Sequence, residues 1–228
     1  MRILIALNGP VRDEAACLAI ARRCDYRICA DGGARHLIAM NLIPDLLVGD
    51  LDSIDEASLQ WMREKGVRIE RFPVEKDWTD SELAFEAALA VPREGDVEIW
   101  MIGAVGDRVD HMLANLGLAS RHTGEGVRVW LTDGRFYMVC LKGPAALRID
   151  LDELGLDDPV ISVVPLPGFP LIGVTLYGFS YPLRDEQIDV GSSRGVSNRV
   201  LPGIREVEVL IRGGEGFVTC SPDDDIPE

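Results

Sequence analysis

The chain has 228 residues, of which 47% are hydrophobic, so it is long enough to bury one or two cores. Its formal net charge of −15 and the absence of a visible grouping of Lys and Arg predict no nucleic acid partner. The chain has no apolar run of about 18 residues, no pattern of a secretory signal and no Cys-x-x-Cys spacing, which predicts a cytoplasmic protein with reduced thiols and no membrane span.

Short apolar runs alternate with helical patterns in the first half of the chain. This alternation is typical of a mainly parallel sheet covered by helices, so we expect an α/β domain over residues 1–124. The predicted strands are Ile3–Leu7, Tyr26–Ala30, Leu46–Gly49, Val67–Phe72 and Val97–Ile102. The predicted helices are Asp13–Arg23, Ala34–Met40, Ile54–Lys65, Asp80–Ala90 and Asp110–Ser120.

The pattern changes in the second half of the chain. Short strands follow one another there, with Gly and Pro between them, and no long helical pattern occurs. We therefore expect an all-β sandwich domain over residues 125–228. Its predicted strands are Val127–Thr132, Phe136–Leu141, Leu147–Leu151, Val160–Pro165, Gly173–Tyr177 and Glu206–Arg212.

Aspartates recur next to the predicted strands and helices of the α/β region. Asp31 follows the second strand, Asp50 and Asp52 follow the third, and Asp80 and Asp110 stand where helices begin. The carboxyl ends of parallel strands form the ligand-binding edge of such a sheet. Four acidic segments at one edge exceed what helix capping requires, and they predict a site there.

The pair Asp50 and Asp52 is suited to Mg²⁺, because hard carboxylate oxygens bind this ion and phosphate oxygens complete its shell. An alternative is that Asp52 or Ser53 only caps the helix that begins near Ile54. A second acidic segment contains Lys76 and Asp77, of which the lysine is placed to meet a phosphate. The two readings of the aspartate pair stay open at this point.

Thr79 followed by Glu82 predicts a capping box, which explains part of the second acidic segment structurally. Gly32 and Gly33 permit close backbone approach to a ligand, although an ordinary strand-to-helix turn has the same composition. Arg108 is suited to bidentate phosphate binding, whereas an alternative for Asp110 is that it caps the following helix, and for His111 that it is a satisfied histidine at the helix start. No P-loop and no Gly-x-Gly-x-x-Gly motif occurs.

A polar loop, Gly191–Asn198, interrupts the apolar runs of the β region. Its hydroxyl and amide groups are suited to hydrogen bonding a flat heterocycle. A solvated hairpin loop would have a similar composition, so the segment alone does not distinguish a ligand-binding loop from a solvated one.

Taken together and in this order, the motifs resemble the thiamine pyrophosphokinase family, and the resemblance extends over nearly the whole chain. The matching segments are ADGGARHL (30–37), PDLLVGDLDSI (44–54), EKDWTDSELAFEAAL (75–89), IGAVGDRVDHMLANL (102–116) and LYGFSYPL with SSRGVSNRV (176–200). Bacterial members usually carry Gly-Gly-Arg where this chain has Gly106-Asp107-Arg108.

The resemblance implies an enzyme that transfers diphosphate from ATP to the hydroxyl of thiamine, with AMP as the other product. It also implies Mg²⁺ and a homodimer that binds thiamine where the subunits meet. The implied catalytic residues are Asp31, Asp50, Asp52, Asp80 and Asp110, of which Asp50, Asp52 and Asp80 are the metal-associated ones. For ATP the residues are Gly32, Gly33, Ser53, Lys76, Asp77, Thr79, Arg108 and His111, and for thiamine Ser193, Ser197 and Asn198.

Three rival functions remain at this point. A related diphosphokinase would act on another hydroxymethyl heterocycle, such as a pterin, but the Ser-Asn loop favours thiamine. A non-catalytic nucleotide or thiamine diphosphate sensor would not need so many carboxylates around a polyanion. A metal-dependent phosphate hydrolase lacks a candidate nucleophile motif.

Overall fold

The structure is a computed structural model, and it describes residues 1–73, 78–106 and 108–223. The chain divides into two compact units, which we call the first and the second unit. The first unit contains Met1–Ala119 and Gly126–Gly134, and the second contains Ser120–Glu125 and Arg135–Glu228. The division of function between residues 1–124 and 125–228 stays a prediction.

The first unit is built on parallel strands in the order β6-β5-β1-β2-β3-β4. The central strand β1 is flanked by β2 and β5, so that Ile5 pairs with both Ile28 and Met101. These three side chains are fully buried, as a sheet with both faces covered requires. The strands are β1 Arg2–Ala6, β2 Tyr26–Ala30, β3 Leu46–Gly49, β4 Arg68–Arg71, β5 Val97–Ile102 and β6 Val127–Thr132.

Helices follow the first five of these strands or lie between them, as the sequence predicts. Asp13, Asp55 and Thr79 accept hydrogen bonds from the backbone at the starts of three helices, and so fix where those helices begin. No helix in the described ranges is long and apolar enough to cross a membrane. The helices are α1 Glu14–Arg22, α2 Ala34–Ala39, α3 Glu56–Glu64, α4 Asp80–Leu89 and α5 Val109–His122, and one 3-10 turn, Asp31–Gly33, precedes α2.

The strand β6 differs from the sequence prediction, which placed it in the all-β region. It pairs in parallel with β5 along its whole length and therefore belongs to the sheet of the first unit. The indole rings of Trp100 and Trp130 stack across this pair with centroids 4.8 Å apart. Local strand propensity carries no information on parallel or antiparallel pairing, so the sequence did not reveal the partner of β6.

The second unit is rich in antiparallel strands. Four of them form a separate sheet in the order β11-β10-β13-β8, and the others pair in the order β12-β9-β14-β7. The structure thus confirms a β-rich second region. The strands are β7 Tyr137–Lys142, β8 Ala145–Asp150, β9 Val160–Pro165, β10 Leu171–Tyr177, β11 Glu186–Ile188, β12 Asn198–Arg199, β13 Glu206–Ile211 and β14 Glu215–Ser221.

The sequence did not predict β11, β12 or β14, nor the short helix α6, Leu151–Leu154. The first two strands are too short to show a period of two residues. The predicted strand Leu147–Leu151 ends early because the Asp150 side chain accepts hydrogen bonds from the backbone N–H groups of Asp152 and Glu153. These bonds begin α6, which the sequence pattern had hidden behind the apolar Leu151.

Candidate active site

A cavity of about 620 Å³ lies at the carboxyl edge of the parallel sheet in the first unit. The loops that follow β1, β2, β3 and β5 line it, together with the starts of α4 and α5. This is the edge where an open parallel sheet binds ligands. The predicted site residues that line the cavity are Asp31, Asp50, Asp52, Ser53, Thr79, Asp80, Arg108 and His111.

Three carboxylates converge in this cavity. Each of Asp31, Asp50 and Asp52 offers an oxygen atom, and the three oxygens lie within 4.8 Å of one another. Two backbone features make the convergence possible. Leu51 adopts a left-handed conformation with φ of 68°, which turns the chain between the paired aspartates, and Gly49 has φ of 142°.

Backbone N–H groups hold this acidic loop in place. The N–H of Ser53 donates to Asp31 Oδ2 at 3.1 Å, and that of Asp52 donates to Asp50 Oδ1 at 3.2 Å. The Ser53 hydroxyl donates to Asp52 Oδ1 at 2.9 Å. The loop after β3 is therefore tied to the end of β2 through its own backbone.

The capping alternative for Asp52 and Ser53 is wrong. The N-cap of α3 is Asp55, whose carboxylate accepts from the backbone N–H of Ser58 at 2.8 Å. The helix begins at Glu56, so neither Asp52 nor Ser53 is at a capping position. Their placement on the cavity wall consequently has no explanation in helix capping.

Asp31 is the most buried carboxylate of the group, with 5% of its surface exposed. It adopts φ of 43°, a conformation that non-glycine residues rarely take and that is found at functional sites. Burial raises the pKa of Asp31, and the charges of Asp80 and Asp50 raise it further, against the lowering effect of its bonds with Ser53. The site therefore holds a carboxylate whose negative charge is disfavoured without a cation.

Asp80 lies next to this group. A Cβ atom added to Gly49 would come within 3.3 Å of Asp80 Oδ1 and 2.9 Å of the Asp31 Cβ atom, so glycine is what allows these chains to approach. Thr79, just before Asp80, forms the predicted capping box with Glu82. The Thr79 hydroxyl is thus occupied by the start of α4.

Arg108 and Asp110 form an exposed, bidentate ion pair in the structure. Arg108 Nε donates to Asp110 Oδ1 at 3.0 Å, and its Nη2 donates to Oδ2 at 2.7 Å. The guanidinium holds the pKa of Asp110 well below its usual range. Asp110 stands within the first turn of α5, not before it, and so the sequence alternative of a capping aspartate is wrong.

The remaining predicted residues of the first unit have different positions. Gly32 and Gly33 are buried, and a Cβ atom at either would overlap the Asn8 side chain or the Ala6 carbonyl oxygen, so they serve close packing of loops. Lys76 and Asp77 lie outside the described residues, as does Asp107.

The loop after β1 is a part of the site that the sequence did not predict. Asn8, Gly9 and Pro10 line the cavity. Arg35 Nη2 donates to the Asn8 carbonyl oxygen at 2.6 Å, and His36 Nε2 lies 2.8 Å from the Gly9 carbonyl oxygen. The signal was present, because Asn-Gly-Pro at the carboxyl end of the first strand marks a tight turn at the ligand edge.

The three predicted thiamine residues belong to the second unit. Asn198 is buried, and its side chain is engaged with the backbone of Tyr181: Nδ2 donates to the carbonyl oxygen at 2.7 Å, and Oδ1 accepts from the N–H at 3.0 Å. Ser197 is exposed, with φ of 56°, and its N–H donates to the Ser162 hydroxyl. Ser193 is also exposed.

Comparison of the sequence with known families gives two matches. The profile of the thiamin pyrophosphokinase catalytic domain matches residues 18–131, and that of the thiamin pyrophosphokinase vitamin B1 binding domain matches residues 147–214. A thiamine pyrophosphokinase of Bacillus subtilis (strain 168) is 30% identical over 174 residues, which cover 76% of this chain and 78% of that protein. Thiamine pyrophosphokinase 3 of Oryza sativa subsp. japonica is 24% identical over 222 residues, covering 90% of this chain and 78% of that protein.

Solved structures give the same result at the level of the fold. The crystal structure of the Bacillus subtilis thiamine pyrophosphokinase superposes with a TM-score of 0.80 and 26% identity, covering 98% of this chain and 100% of that one. Thiamin pyrophosphokinase from Candida albicans superposes with a TM-score of 0.78 at 18% identity, covering 97% of this chain and 90% of that one, which shows a shared fold.

We predict that Asp31→Asn stabilises the metal-free protein, although it removes one of the three carboxylates that converge in the cavity. Because the pKa of Asp31 is raised in the folded state, its ionisation opposes folding at neutral pH, and asparagine removes that charge but keeps an acceptor for Ser53. In EDTA at pH 7, the melting temperature should rise by about 2–4 °C, and the gain should shrink as acid protonates Asp31 in the parent protein. A variant less stable than the parent at neutral pH would contradict the assigned repulsion.

Proposed function

The chain belongs to the thiamine pyrophosphokinase family, and from this premise we propose that it transfers diphosphate from Mg²⁺-bound ATP to the hydroxyl of thiamine. The products are thiamine diphosphate and AMP. The observation that carries the proposal is the convergence of Asp31, Asp50 and Asp52 in one cavity at the ligand edge of the sheet. A pure thiamine-binding protein would have no use for such a group, whereas a polyphosphate with a divalent cation requires one.

The donor set fits Mg²⁺. All three converging groups are carboxylates, the oxygen ligands that this ion prefers, and burial makes the charge of Asp31 depend on a neighbouring cation. We assign Asp31, Asp50 and Asp52 as the groups that hold the ion, with Asp80, which the family resemblance placed among the metal-associated residues instead of Asp31, beside them. When bound, Mg²⁺ neutralises phosphate charge and makes AMP a better leaving group.

The protein itself contributes mainly position and charge. In this type of transfer, an alcohol attacks a phosphorus atom, and alignment of the two substrates accounts for most of the acceleration. Arg108 is a cationic side chain at the α5 end of the cavity. If it exchanges Asp110 for a phosphate, its two N–H donors and its positive charge again have an anionic partner. Asp110 is a weak proton acceptor, because Arg108 stabilises its anion, so we assign it to orienting Arg108 before the phosphate binds.

We predict that Asp50→Asn and Asp52→Asn each lower kcat by about two to three orders of magnitude without unfolding the protein, because each removes a negatively charged ligand. The measurement is the formation of AMP and thiamine diphosphate from ATP, Mg²⁺ and thiamine. The matched control is Asp55→Asn, since Asp55 is exposed in the same loop and asparagine caps helices equally well. The proposal fails if the control and the two variants retain the same activity.

For the second unit, we propose a sandwich of its two groups of strands that carries the thiamine-binding groups. Ser193 and Ser197 are exposed hydroxyls of one loop, and Asn198 anchors the end of that loop to Tyr181. Neutral donors and acceptors of this kind suit the uncharged pyrimidine ring of thiamine. The internal bonds of Asn198 make it a residue that positions the loop, while Ser197 is free to contact thiamine directly.

We predict that Ser197→Ala and Asn198→Ala separate these two roles. Ser197→Ala should raise the KM for thiamine several-fold and leave the melting temperature and the KM for ATP unchanged, because it removes one exposed hydroxyl. Asn198→Ala should raise the KM for thiamine and also lower the melting temperature, because the backbone N–H and carbonyl groups of Tyr181 lose their partner. An increase confined to the KM for ATP would assign this loop to the nucleotide.

We propose further that the protein is a cytoplasmic homodimer with thiamine bound between subunits. Among the described residues, nine of the thirteen large exposed hydrophobic side chains lie in the second unit, including Tyr177 and Tyr181. Such surface is typical of protein interfaces. All five cysteines are buried thiols, which fits a reducing compartment, and burial raises the pKa of Cys140 to about 11. Light scattering should give twice the chain mass, and an active monomer at nanomolar concentration would contradict the dimer.

A further inference from the structure

The cavity in the first unit has two chemically different ends. Across the sheet, β5, β1, β2 and β3 are successive neighbours, and each contributes the loop at its carboxyl end. With strands about 4.8 Å apart, the end of β5 lies roughly 14 Å from the end of β3. The carboxylates occupy the β2 and β3 end, so a ligand held there by its phosphates has its other part near β5.

Two exposed polar residues at the start of α5, Arg108 and His111, line the β5 end, whereas its less exposed lining is apolar apart from one buried amide. Pro10, Ala104, Val105 and Met112 line it, and so does Asn115 of α5, of which only 5% is exposed. A buried amide among apolar groups is costly unless its polar atoms are bonded. Packing alone therefore does not account for an asparagine at position 115.

One polar atom of the Asn115 amide, Nδ2, is bonded within the protein. Asn115 Nδ2 donates to the Ala104 carbonyl oxygen at 2.7 Å, which fixes the turn that follows β5. The N–H of Gly9 donates to the Gly103 carbonyl oxygen at 3.0 Å, which joins this turn to the loop after β1. Nδ2 thus serves to hold the wall of the cavity.

The other polar atom of this amide is its oxygen, Oδ1, which can accept a hydrogen bond. Within the described ranges, no donor is hydrogen bonded to Asn115 Oδ1, although the residue is more than nine-tenths buried and lines the cavity. Because Nδ2 is held by Ala104, the amide cannot reverse without placing its oxygen against another carbonyl oxygen. Oδ1 is therefore presented as a fixed acceptor to whatever occupies this end.

We infer that Asn115 is the residue that selects the nucleobase of the phosphate donor, with its Oδ1 accepting a hydrogen bond from the 6-amino group of adenine. This inference rests on the proposed function, since that function supplies a nucleoside triphosphate whose phosphates meet the carboxylates. The apolar neighbours fit the faces of a flat base better than a ribose. An oxygen at the 6-position, as in hypoxanthine, would meet Oδ1 with a second acceptor and be rejected.

The test compares ATP with ITP, which differs from ATP in carrying oxygen in place of the 6-amino group. The parent protein should show a KM for ATP at least about tenfold below that for ITP, as expected for one buried hydrogen bond. Asn115→Leu should raise the KM for ATP by a similar factor, leave the KM for thiamine unchanged and abolish the preference for ATP. Asn115→Asp keeps an acceptor oxygen but loses the bond to Ala104, so it should retain the preference for ATP while its melting temperature falls.

Gly117→Ala is the matched control on the same helix, because among the described residues no atom outside the neighbouring helix backbone lies within 4 Å of the position of the added Cβ atom. It should leave both KM values and the preference for ATP as in the parent. Binding of Mg·ADP and Mg·IDP is also measured by calorimetry without thiamine. If the parent protein forms no thiamine diphosphate, the proposed function fails, and the calorimetric preference for ADP and its loss in Asn115→Leu still test the inference.

Two results would overturn the inference. One is an Asn115→Leu variant that folds and keeps the preference of the parent for ATP over ITP. The other is an increase in the KM for thiamine without an increase in the KM for ATP, which would assign this end of the cavity to the acceptor substrate. If Asn115→Leu does not fold, loss of the preference for ATP in Asn115→Asp overturns it equally.

Discussion

Repulsion among carboxylates is the constraint around which the first unit is organised. Oxygens of Asp31, Asp50 and Asp52 lie within 4.8 Å of one another, at a distance where like charges oppose each other. The backbone conformation and a few backbone hydrogen bonds hold the carboxylates together against this repulsion. Gly49 provides the space, Leu51 turns the loop, and the N–H of Ser53 bonds the buried Asp31. We propose that a divalent cation converts this arrangement from a repulsive group into a binding site.

The same constraint explains why the loops around the cavity are tied together. Carboxylates that repel one another would move apart if their loops were mobile. Instead, Gly9 is bonded to Gly103 across β1 and β5, and Arg35 and His36 hold the carbonyl oxygens of the β1 loop. The packing of Gly33 against Ala6 removes the remaining space at the end of β1. The wall is thus built before any ligand arrives, which reduces the cost of ordering at binding.

The sequence predicted those parts of the site that local chemistry determines. The strands before Asp31 and Asp50, the capping box at Thr79 and the β-rich second region follow from patterns within about ten residues. The close approach of Asp31 to Asp52 depends on the neighbouring positions of β2 and β3, which no local pattern contains. For the same reason the sequence did not reveal the parallel partner of β6, nor that the Asn198 amide is engaged by Tyr181. Pairing between distant segments is decided by the whole core.

Charge and selectivity are assigned to different groups in this protein. Carboxylates with a cation attract any polyphosphate, because the attraction acts on charge and not on the identity of the attached base. Because the protein has a net charge of −15, binding a polyphosphate requires a cation at the site. This charge does not distinguish one nucleotide from another. Discrimination requires neutral groups whose unpaired burial is costly, since a wrong ligand then leaves them unsatisfied. We infer that the buried Asn115 of the first unit meets that requirement, because only its Nδ2 is used to fix the backbone, whereas both polar atoms of the Asn198 amide in the second unit are engaged by backbone groups. An amide held as Asn115 is held presents its oxygen in one orientation, so the selectivity that we infer for this residue depends on the same bond that stabilises the turn after β5.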